Sequence, residues 1–351
     1  MSWAFVLALA ASFVAHDLDE LERLLEAGRA QTVVERTREL SPTSKEVRED
    51  ARLAVIVARA SNEAGDSQRA LGLLAVHGEG RVVDVDLARA RILVDLDRLD
   101  EARRVLVRPD KPGLPRFASH ADAWALLGRV LSRQGDARAA RPLLERSIEL
   151  APYGPEAAAA WHMLGTEARG RRDTERALFC FRRAKEVRRW HELFRARRLQ
   201  KREHPDDPLP RLGLGLLWME AGQLRKAEAE FDQLVERVPD FARGHQYLGE
   251  IRRRLGETEP ALASFGKALE LDPNLALARA QRGALFAELE RWTEAIADLE
   301  LFSVSKQSNE KEFRIAWWHY ARSLNELGRK PEAARAWARY QALEGVRKRP
   351  W

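Results

Sequence analysis

Residues 242–275 read ARGHQYLGEIRRRLGETEPALASFGKALELDPNL, and this stretch decides the fold. Its small residues Gly249 and Ala261 stand where they let two antiparallel helices approach closely, and large apolar residues fill the groove between those helices. Gly256 lies where the first helix has to end in a left-handed residue, and Pro273 lies beyond the second helix. The stretch therefore predicts one helical hairpin.

The same pattern recurs along the chain with a period near 34 residues, which is the sequence signature of a repeat architecture. Clear copies lie at 121–154, 158–191, 208–241, 242–275, 276–309 and 314–347. Weaker copies lie at 51–84 and 83–116, and the second of these places Asp86 and Arg89 where apolar residues belong. A further divergent hairpin is predicted at 14–42. The anchor alanines of the successive copies are Ala70, Ala102, Ala140, Ala177, Ala227, Ala261, Ala295 and Ala333.

Residues at fixed offsets in these copies resemble the tetratricopeptide repeat family. In the cleanest copy they are Leu248, Gly249, Ala261, Phe265, Ala268 and Pro273. The resemblance implies an all-α fold, a right-handed α-solenoid superhelix of antiparallel helical hairpins, with about eight repeats after a divergent N-terminal hairpin. We therefore expect residues 45–347 to be almost wholly helical. The expected turns within hairpins lie near Gly135, Gly222, Gly256 and Gly328.

Members of this family bind peptides or partner domains in a concave groove that the first helix of each hairpin lines. The resemblance thus implies a protein–protein interaction scaffold or adaptor. Carried onto this sequence, the groove positions include Arg59, Arg91, Arg129, Arg133, Leu212, Leu216, Met219, Gln246, Glu250, Arg253, Trp318, Arg322 and Asn325.

The groove positions suggest the chemistry of the ligand. We expect Arg59, Arg91 and Arg129 to share one continuous surface, and the stretches 208–241 and 276–309 to be apolar. A protein or peptide with an acidic portion and a hydrophobic anchor would fit such a groove. A purely solvated role for the arginines stays open, since arginine is the commonest solvated residue of the chain.

A basic segment at 182–202 has two interpretations. The net charge of the chain is +6 at pH 7, and ten basic residues fall in this segment. The favoured interpretation is a lengthened second helix whose Val187, Trp190, Leu193 and Phe194 pack on the next hairpin. The alternative is a nucleic-acid-binding helical repeat protein, or one that binds anionic lipid. The anionic-partner surface would then consist of Arg188, Arg189, Trp190, Arg195, Arg197, Arg198, Lys201 and Arg202.

Motifs for catalysis or cofactor binding are not found in the sequence, so we expect no enzyme, no cofactor and no metal site. Cys180 stands in an apolar run, which indicates a buried, inert thiol. His191 and Glu192 begin a zinc-protease helix motif, but Arg195 occupies the place of the second histidine.

The two ends of the sequence leave alternatives open. We divide the chain into an apolar segment 1–13, a divergent hairpin 14–50, a repeat array 51–347 with a helical insertion at 192–207, and a basic tail 348–351. The uncharged apolar run 1–15 is a leader, an anchor, or a helix packed on the first hairpin. The compartment is therefore cytoplasmic or exported and membrane-associated, and a membrane contact is expected only if an anchor is retained.

The last hairpin predicts a contact with another chain. It closes with Trp337, Tyr340 and Leu343, and each hairpin of a solenoid offers an apolar face to a following one. Either the tail 344–351 folds back so that Trp351 covers this face, or another chain covers it. We favour the second alternative and expect a homo-oligomer, or a partner, to dock through this C-terminal repeat.

Overall fold

The computed structural model describes residues 18–108 and 111–344. The expectations for the apolar run 1–15 and for the tail 348–351 fall outside the described residues. The helices are 18–26 (α1), Ala30–Arg36 (α2), Lys45–Glu49 (α3), Ala51–Glu63 (α4), Ser67–Ala75 (α5), Val83–Asp95 (α6), Leu99–Leu106 (α7), Ala121–Arg133 (α8), Ala137–Leu150 (α9), Ala157–Gly170 (α10), Thr174–Glu203 (α11), Pro208–Glu220 (α12), Leu224–Arg237 (α13), Ala242–Arg254 (α14), Thr258–Leu271 (α15), Ala276–Glu288 (α16), Trp292–Ser303 (α17), Arg314–Glu326 (α18) and Lys330–Glu344 (α19). Two short 3₁₀ helices, Lys306–Asn309 and Lys311–Phe313, precede α18.

The predicted all-α fold class is confirmed, with one local departure. Consecutive helices pair as hairpins, for example α8 with α9 and α14 with α15. Strands Val107–Arg108 (β1) and Lys111–Pro115 (β2) form a two-stranded antiparallel ladder between α7 and α8, where we expected helix. The sequence gives the reason, because Pro109, Pro112 and Pro115 lack the backbone N–H that a helix needs.

The chain divides into two compact units, and the division falls inside α11. Unit 1 is Met1–Arg195 and unit 2 is Ala196–Trp351. Among residues 18–108 and 111–344, every helix is too short or too polar to span a bilayer.

The turns within hairpins form as predicted. Gly135, Gly222, Gly256 and Gly328 all have φ between +71° and +88°, the left-handed conformation that ends a helix. An aspartate can then start the second helix at once. Asp136, directly after Gly135, accepts a hydrogen bond from the backbone N–H of Ala139 at 3.0 Å.

The small residues of the first helices lie against large residues of the second helices, which confirms the predicted packing. A Cβ atom added at Gly249 would lie 2.7 Å from ring carbons of Phe265, and one at Gly215 would lie 2.5 Å from Phe231. Both phenylalanines are fully buried. All the anchor alanines are buried as well: Ala70, Ala102, Ala140, Ala177, Ala227, Ala261, Ala295 and Ala333.

The irregular copy at 83–116 buries the two charged residues that interrupt its apolar pattern. Asp86 on α6 is fully buried and Arg89 is nearly so, and their side chains form an ion pair at 3.1 Å. The ion pair, together with bonds to the neighbouring backbone, gives both buried charges partners.

Candidate functional site

The first helices of the hairpins are α4, α6, α8 and α10 in unit 1, and α12, α14, α16 and α18 in unit 2. We call the predicted groove positions on these helices the first-helix face of each unit. Each unit is described by itself.

Ion pairs between neighbouring first helices dominate the first-helix face of unit 1. Arg91 on α6 donates to Glu156 at 2.8 Å and to Asp122 on α8 at 3.1 Å. Arg129 on α8 donates in the opposite direction, to Asp95 on α6, at 2.7 Å. The two arginines therefore lie on the same α6–α8 surface, and each is neutralised by a carboxylate of the chain.

The environment of Arg91 favours its charged form. Burial opposes the charge, but Glu156 and Asp122 raise the pKa of Arg91 above its ordinary value. Burial likewise raises the pKa of Asp122, and Arg91 counteracts that shift. This triad holds α6, α8 and the start of α10 together more than it offers a cation to a ligand.

The two other predicted arginines of unit 1 differ in their partners. Arg133 donates to the backbone carbonyl of Val94 at 2.5 Å and lies 3.6 Å from Asp97. Arg59 is exposed and makes no ion pair with a described residue. The structure gives Arg59 no contact with Arg91 or Arg129, so a single surface that includes all three stays a prediction.

On unit 2, Glu250 is the centre of a polar network between α14 and α16. The buried carboxylate of Glu250 accepts from Arg253 at 3.0 Å, from Arg254 at 2.6 Å and from Gln281 at 3.3 Å. Gln246 donates to Gln281 at 2.7 Å. Because Glu250 is surrounded by donors, it positions the two arginines and is not itself open to a ligand.

Helix α12 of the same unit carries a stripe of apolar side chains. Leu209, Leu212, Leu216 and Met219 stand at i, i+3, i+7 and i+10 and so share one helical face. Leu209 is 56% exposed and Leu216 is 36% exposed, while Leu212 and Met219 pack partly on the core beneath.

Aromatic and cationic groups continue the face on α18. The guanidinium of Arg322 lies 5.8 Å from the ring centre of Trp318 and 5.0 Å from that of Trp292. Arg322 is exposed and has no ion-pair partner among the residues the structure describes. Ile315, one turn before Trp318, is 57% exposed, and Asn325 is exposed at the end of the helix.

His319, on α18, is a buried polar residue that the predicted groove positions do not include. Its side chain is buried, and its Nε2 lies 3.8 Å from Glu288 on α16. Burial, with the positive charges of Arg322 and Arg253, lowers the pKa of His319 to about 4. His319 is therefore neutral at pH 7. Its place in the aromatic run 317–320 was the one sequence signal that could have marked it.

The predicted anionic-partner surface on α11 is corrected in part. Trp190 is only 5% exposed and stacks on Phe194 with ring centres 5.1 Å apart, so it is a core residue and not a platform for bases. Lys201 is bound to Glu230 at 2.7 Å, and Arg197 donates to Gln200 at 3.0 Å. Arg198 and Arg202 also make interactions within the chain. Arg188, Arg189 and Arg195 remain exposed.

The buried residues of the segment 182–202 pack as part of helix α11, the second helix of its hairpin. The expected lengthened helix is present, since α11 continues to Glu203, and Val187 and Trp190 are buried in it. Leu193 differs from the expectation because its side chain is exposed.

The thiol and the histidines show no reactive arrangement. Cys180 is fully buried, and burial raises the pKa of its thiol, which keeps it protonated. His191 interacts with the carbonyl oxygen of Gly154 at 3.3 Å. Within residues 18–108 and 111–344, no cluster of three or more His, Cys, Asp or Glu side chains has the geometry to hold a metal ion.

The last described hairpin, α18 with α19, has both exposed and buried apolar side chains on its second helix. Trp337 is 43% exposed and lies 5.0 Å from the ring of Tyr340, whereas Leu343 is buried. The alternative, that the tail folds back and Trp351 covers this face, falls outside the described residues. Self-association through this face stays a prediction. Sedimentation of the isolated chain tests it, and a strict monomer would contradict it.

These features define an α-helical repeat protein whose candidate sites, among the described residues, lie on the faces of its helices. Tetratricopeptide repeat families match residues 119–189 and residues 212–276. These two stretches are tetratricopeptide repeats, and the chain is in general terms a scaffold for protein–protein interaction. Proteins of this family are typically non-enzymatic. No curated protein matches the sequence.

Solved structures with a similar arrangement are distant. The crystal structure of MamA protein is 16% identical, with 55% of this chain and 98% of that chain covered and a TM-score of 0.36. The APC/C hetero-tetramer Cut9-Hcn1 is 15% identical, with 90% and 79% covered and a TM-score of 0.39. YrrB, described as a TPR protein with an unusual peptide-binding site, is 22% identical, with 55% and 88% covered and a TM-score of 0.24. At these scores the likeness carries no argument about a partner.

Proposed function

We propose that the chain binds an extended segment of a partner protein on the first-helix face of unit 2. The observation that carries this proposal is the apolar stripe on α12, where Leu209 and Leu216 stay exposed beside Leu212 and Met219. Such a stripe provides a hydrophobic anchor site for an apolar side chain of the ligand.

The charges on the same unit support a ligand with an acidic portion. Arg322 has no carboxylate partner in the described part of the chain, and its guanidinium is held over Trp318. Arg253 and Arg254 share the carboxylate of Glu250, and Arg253 also lies 3.9 Å from Glu288, so these two cations are already balanced. A carboxylate of the ligand would gain a charge-assisted hydrogen bond from Arg322.

Unit 1 supports this chemistry less well than the sequence suggested. The charges of Arg91 and Arg129 are already balanced by Asp122, Glu156 and Asp95. An acidic ligand there would have to replace existing ion pairs, which reduces the net gain of binding. An acidic segment bound across Arg59, Arg91 and Arg129 stays a weaker form of the proposal.

Selection from a library of random 12-residue peptides displayed on phage tests the proposal. Peptides that enrich on the wild-type chain are synthesised with a fluorophore, and their affinity is measured by fluorescence anisotropy. We expect enriched peptides to combine an apolar residue with acidic ones. Leu216→Glu should weaken their binding by about tenfold or more, because the loss of one buried anchor costs at least about 1.4 kcal/mol.

A matched control separates the proposed face from the rest of unit 2. Leu301 on α17 is 53% exposed but lies on a second helix. Leu301→Glu should leave the affinity within about twofold. Arg322→Glu should weaken binding of the acidic peptides. If Leu216→Glu and Leu301→Glu bind the selected peptides equally well, or if no peptide enriches, the proposal is wrong.

A further inference from the structure

Helix α11 is the longest element of the chain, and its outward face differs from those of the other second helices. It has 30 residues, against 14 in each of the second helices α9 and α13. Five basic side chains on it are exposed and make no ion pair with any described residue. They are Arg182, Lys185, Arg188, Arg189 and Arg195, which we call the α11 basic face.

The number of unpaired cations distinguishes this face. On the other second helices several arginines reach carboxylates of their own or a neighbouring helix, although Arg103 and Arg104 on α7 are unpaired among the described residues. Arg146 pairs with Glu149 at 3.0 Å, and Arg225 pairs with Glu257 at 2.6 Å. Even on α11, Arg176 pairs with Glu145 at 2.7 Å. Two acidic residues lie between Arg182 and Arg195 in the sequence. Glu186 is paired with Arg183, and Glu192 is exposed and makes no ion pair with a described residue.

Helical geometry gathers these cations on one side. At about 100° per residue, the five side chains fall within roughly 140° of the circumference of α11. Arg182 and Arg195 are separated by about 20 Å along the helix axis. All five belong to unit 1, so their relative placement depends on one continuous helix.

Exposed apolar side chains are interleaved with the cations. Leu178 is 61% exposed and lies within the same sector, and Leu193 is 42% exposed at its edge. The two leucines stand about 22 Å apart along the axis, Leu178 before Arg182 and Leu193 between Arg189 and Arg195. The face is therefore a row of cations with an exposed leucine near each end.

The aromatic residues of the segment argue against nucleic acid. Bases bind single-strand-binding surfaces by stacking on exposed aromatic rings. Trp190 is buried against Tyr153 and Phe194. Phe179 is 47% exposed, but it lies about 60° outside the sector of the basic face, and its ring packs edge-on against Trp161 at 5.6 Å. A bilayer surface fits less well too, since two separated leucines do not form the continuous apolar strip of an interfacial helix.

We propose that the α11 basic face binds an acidic amphipathic helix of a partner protein. Carboxylates three and four residues apart on such a helix would meet the row from Arg182 to Arg195, and its leucines would cover Leu178 and Leu193. This site is separate from the first-helix face, so the inference does not depend on the proposed function.

Two synthetic probes test the inference. The first is a 21-residue peptide of leucine, alanine and glutamate in which leucines recur at helical spacing and glutamates fill the flanking positions. The second has the same composition in an order that spreads the leucines around the helix. We expect the patterned peptide to bind the full chain at least about tenfold tighter than the scrambled one, by fluorescence anisotropy in about 0.15 M salt.

Substitutions localise the effect. Arg182→Glu with Arg189→Glu should abolish binding of the patterned peptide. Leu178→Ala with Leu193→Ala should remove the preference for it over the scrambled peptide. Arg103→Glu with Arg104→Glu is the matched control, since both are exposed on α7 of the same unit and unpaired among the described residues. The control should bind like the wild type.

Three results would overturn the inference. One is equal binding of the two peptides, which indicates charge attraction alone. Another is binding of oligo(dT) or of phosphatidylserine vesicles, lost in the Arg182→Glu and Arg189→Glu variant, without binding of the patterned peptide. The third is loss of peptide binding in the α7 control. Circular dichroism shows whether each variant is folded, and Lys185→Gln with Arg195→Gln repeats the test without charge reversal.

Discussion

The carboxylate of Asp86 and the guanidinium of Arg89, one turn apart on α6, form an ion pair of 3.1 Å that is closed off from solvent. Each partner has a further bond. The backbone N–H of Gly80 donates to Asp86 at 2.6 Å, and Arg89 donates to the carbonyl oxygen of Leu74 at 2.6 Å. Burial raises the pKa of Asp86, and the bonds from Gly80 and Arg89 oppose that shift. The pair ties α6 to the end of α5.

Asp86→Ala should destabilise the chain by about 3–5 kcal/mol, because it leaves a buried guanidinium without its counter-charge. Replacement of both residues, Asp86→Leu with Arg89→Leu, should cost much less, since it removes both charges. Urea titrations followed by circular dichroism give the two free energies of unfolding. Equal losses in the single and double variants would show that the ion pair is not what holds this hairpin.

Gly249→Ala should destabilise the chain by about 1–3 kcal/mol through overpacking. The added Cβ would lie 2.7 Å from the ring of Phe265, which is fully buried and has no room to move away. Gly266, on α15 of the same hairpin, is the control. A Cβ there would meet only Arg282 at 3.7 Å, so Gly266→Ala should stabilise by about 0.5–1 kcal/mol. Thermal melts of both variants test the opposite signs.

Glycine at the two turns that lack it should raise the stability of the chain. Arg172 and Glu290 take the left-handed conformation, with φ of 63° and 60°, at the place where other hairpins have glycine. This conformation costs a non-glycine residue about 1–2 kcal/mol. Glycine avoids that cost, but its greater freedom in the unfolded chain lowers the stability of the fold by about 0.4–1 kcal/mol. Glu290→Gly and Arg172→Gly should each stabilise by about 0.5–1 kcal/mol. A loss of thermal stability in both would contradict this explanation.

The anchor alanines and glycine turns were predictable because each depends on sterics inside one hairpin. Ala261 and Gly249 stand at fixed offsets in the sequence, and the close approach of two helices leaves no alternative at those positions. The neutralisation of Arg91 was not predictable. Its partner Glu156 is 65 residues away, and their contact depends on how successive first helices are spaced. Side-chain pairing between repeats is not encoded in the repeat pattern itself.

The difference between packing inside one hairpin and contacts between repeats also explains which predictions for α11 were wrong. Val187 and Trp190 are buried, as the apolar periodicity indicated, and the ring of Trp190 lies against Tyr153 and Phe194. Their packing on the next hairpin stays a prediction. Leu193 carries the same hydrophobic signal, but the helix has by then turned it toward solvent. Which basic residues stay unpaired depends on carboxylates of other helices, such as Glu230 beside Lys201.

His319 predicts a pH dependence of stability. In the unfolded chain a histidine binds its proton at its ordinary pKa of about 6.5, whereas in the folded chain the pKa of His319 is lowered to about 4. Between these two values the unfolded state binds more protons than the folded state, so the free energy of unfolding rises with pH. Stability from this group is complete above pH 6.5 and is lost as the pH falls toward 4.

Substitution of His319 isolates that contribution. Glu288 on α16 and Arg253 on α14 face the ring, together with Arg322 on its own helix, and carboxylates elsewhere in the chain also titrate as the pH falls. The measured quantity is therefore the loss of unfolding free energy between pH 7 and pH 5 in the wild type, compared with the same loss in His319→Gln. We expect the loss to be smaller in His319→Gln by about 1–2 kcal/mol, because that variant has no imidazole to protonate. His162→Gln, an exposed change that leaves His319 in place, should keep the wild-type difference. An unchanged pH dependence in His319→Gln would show that the buried imidazole does not control the acid sensitivity of unit 2.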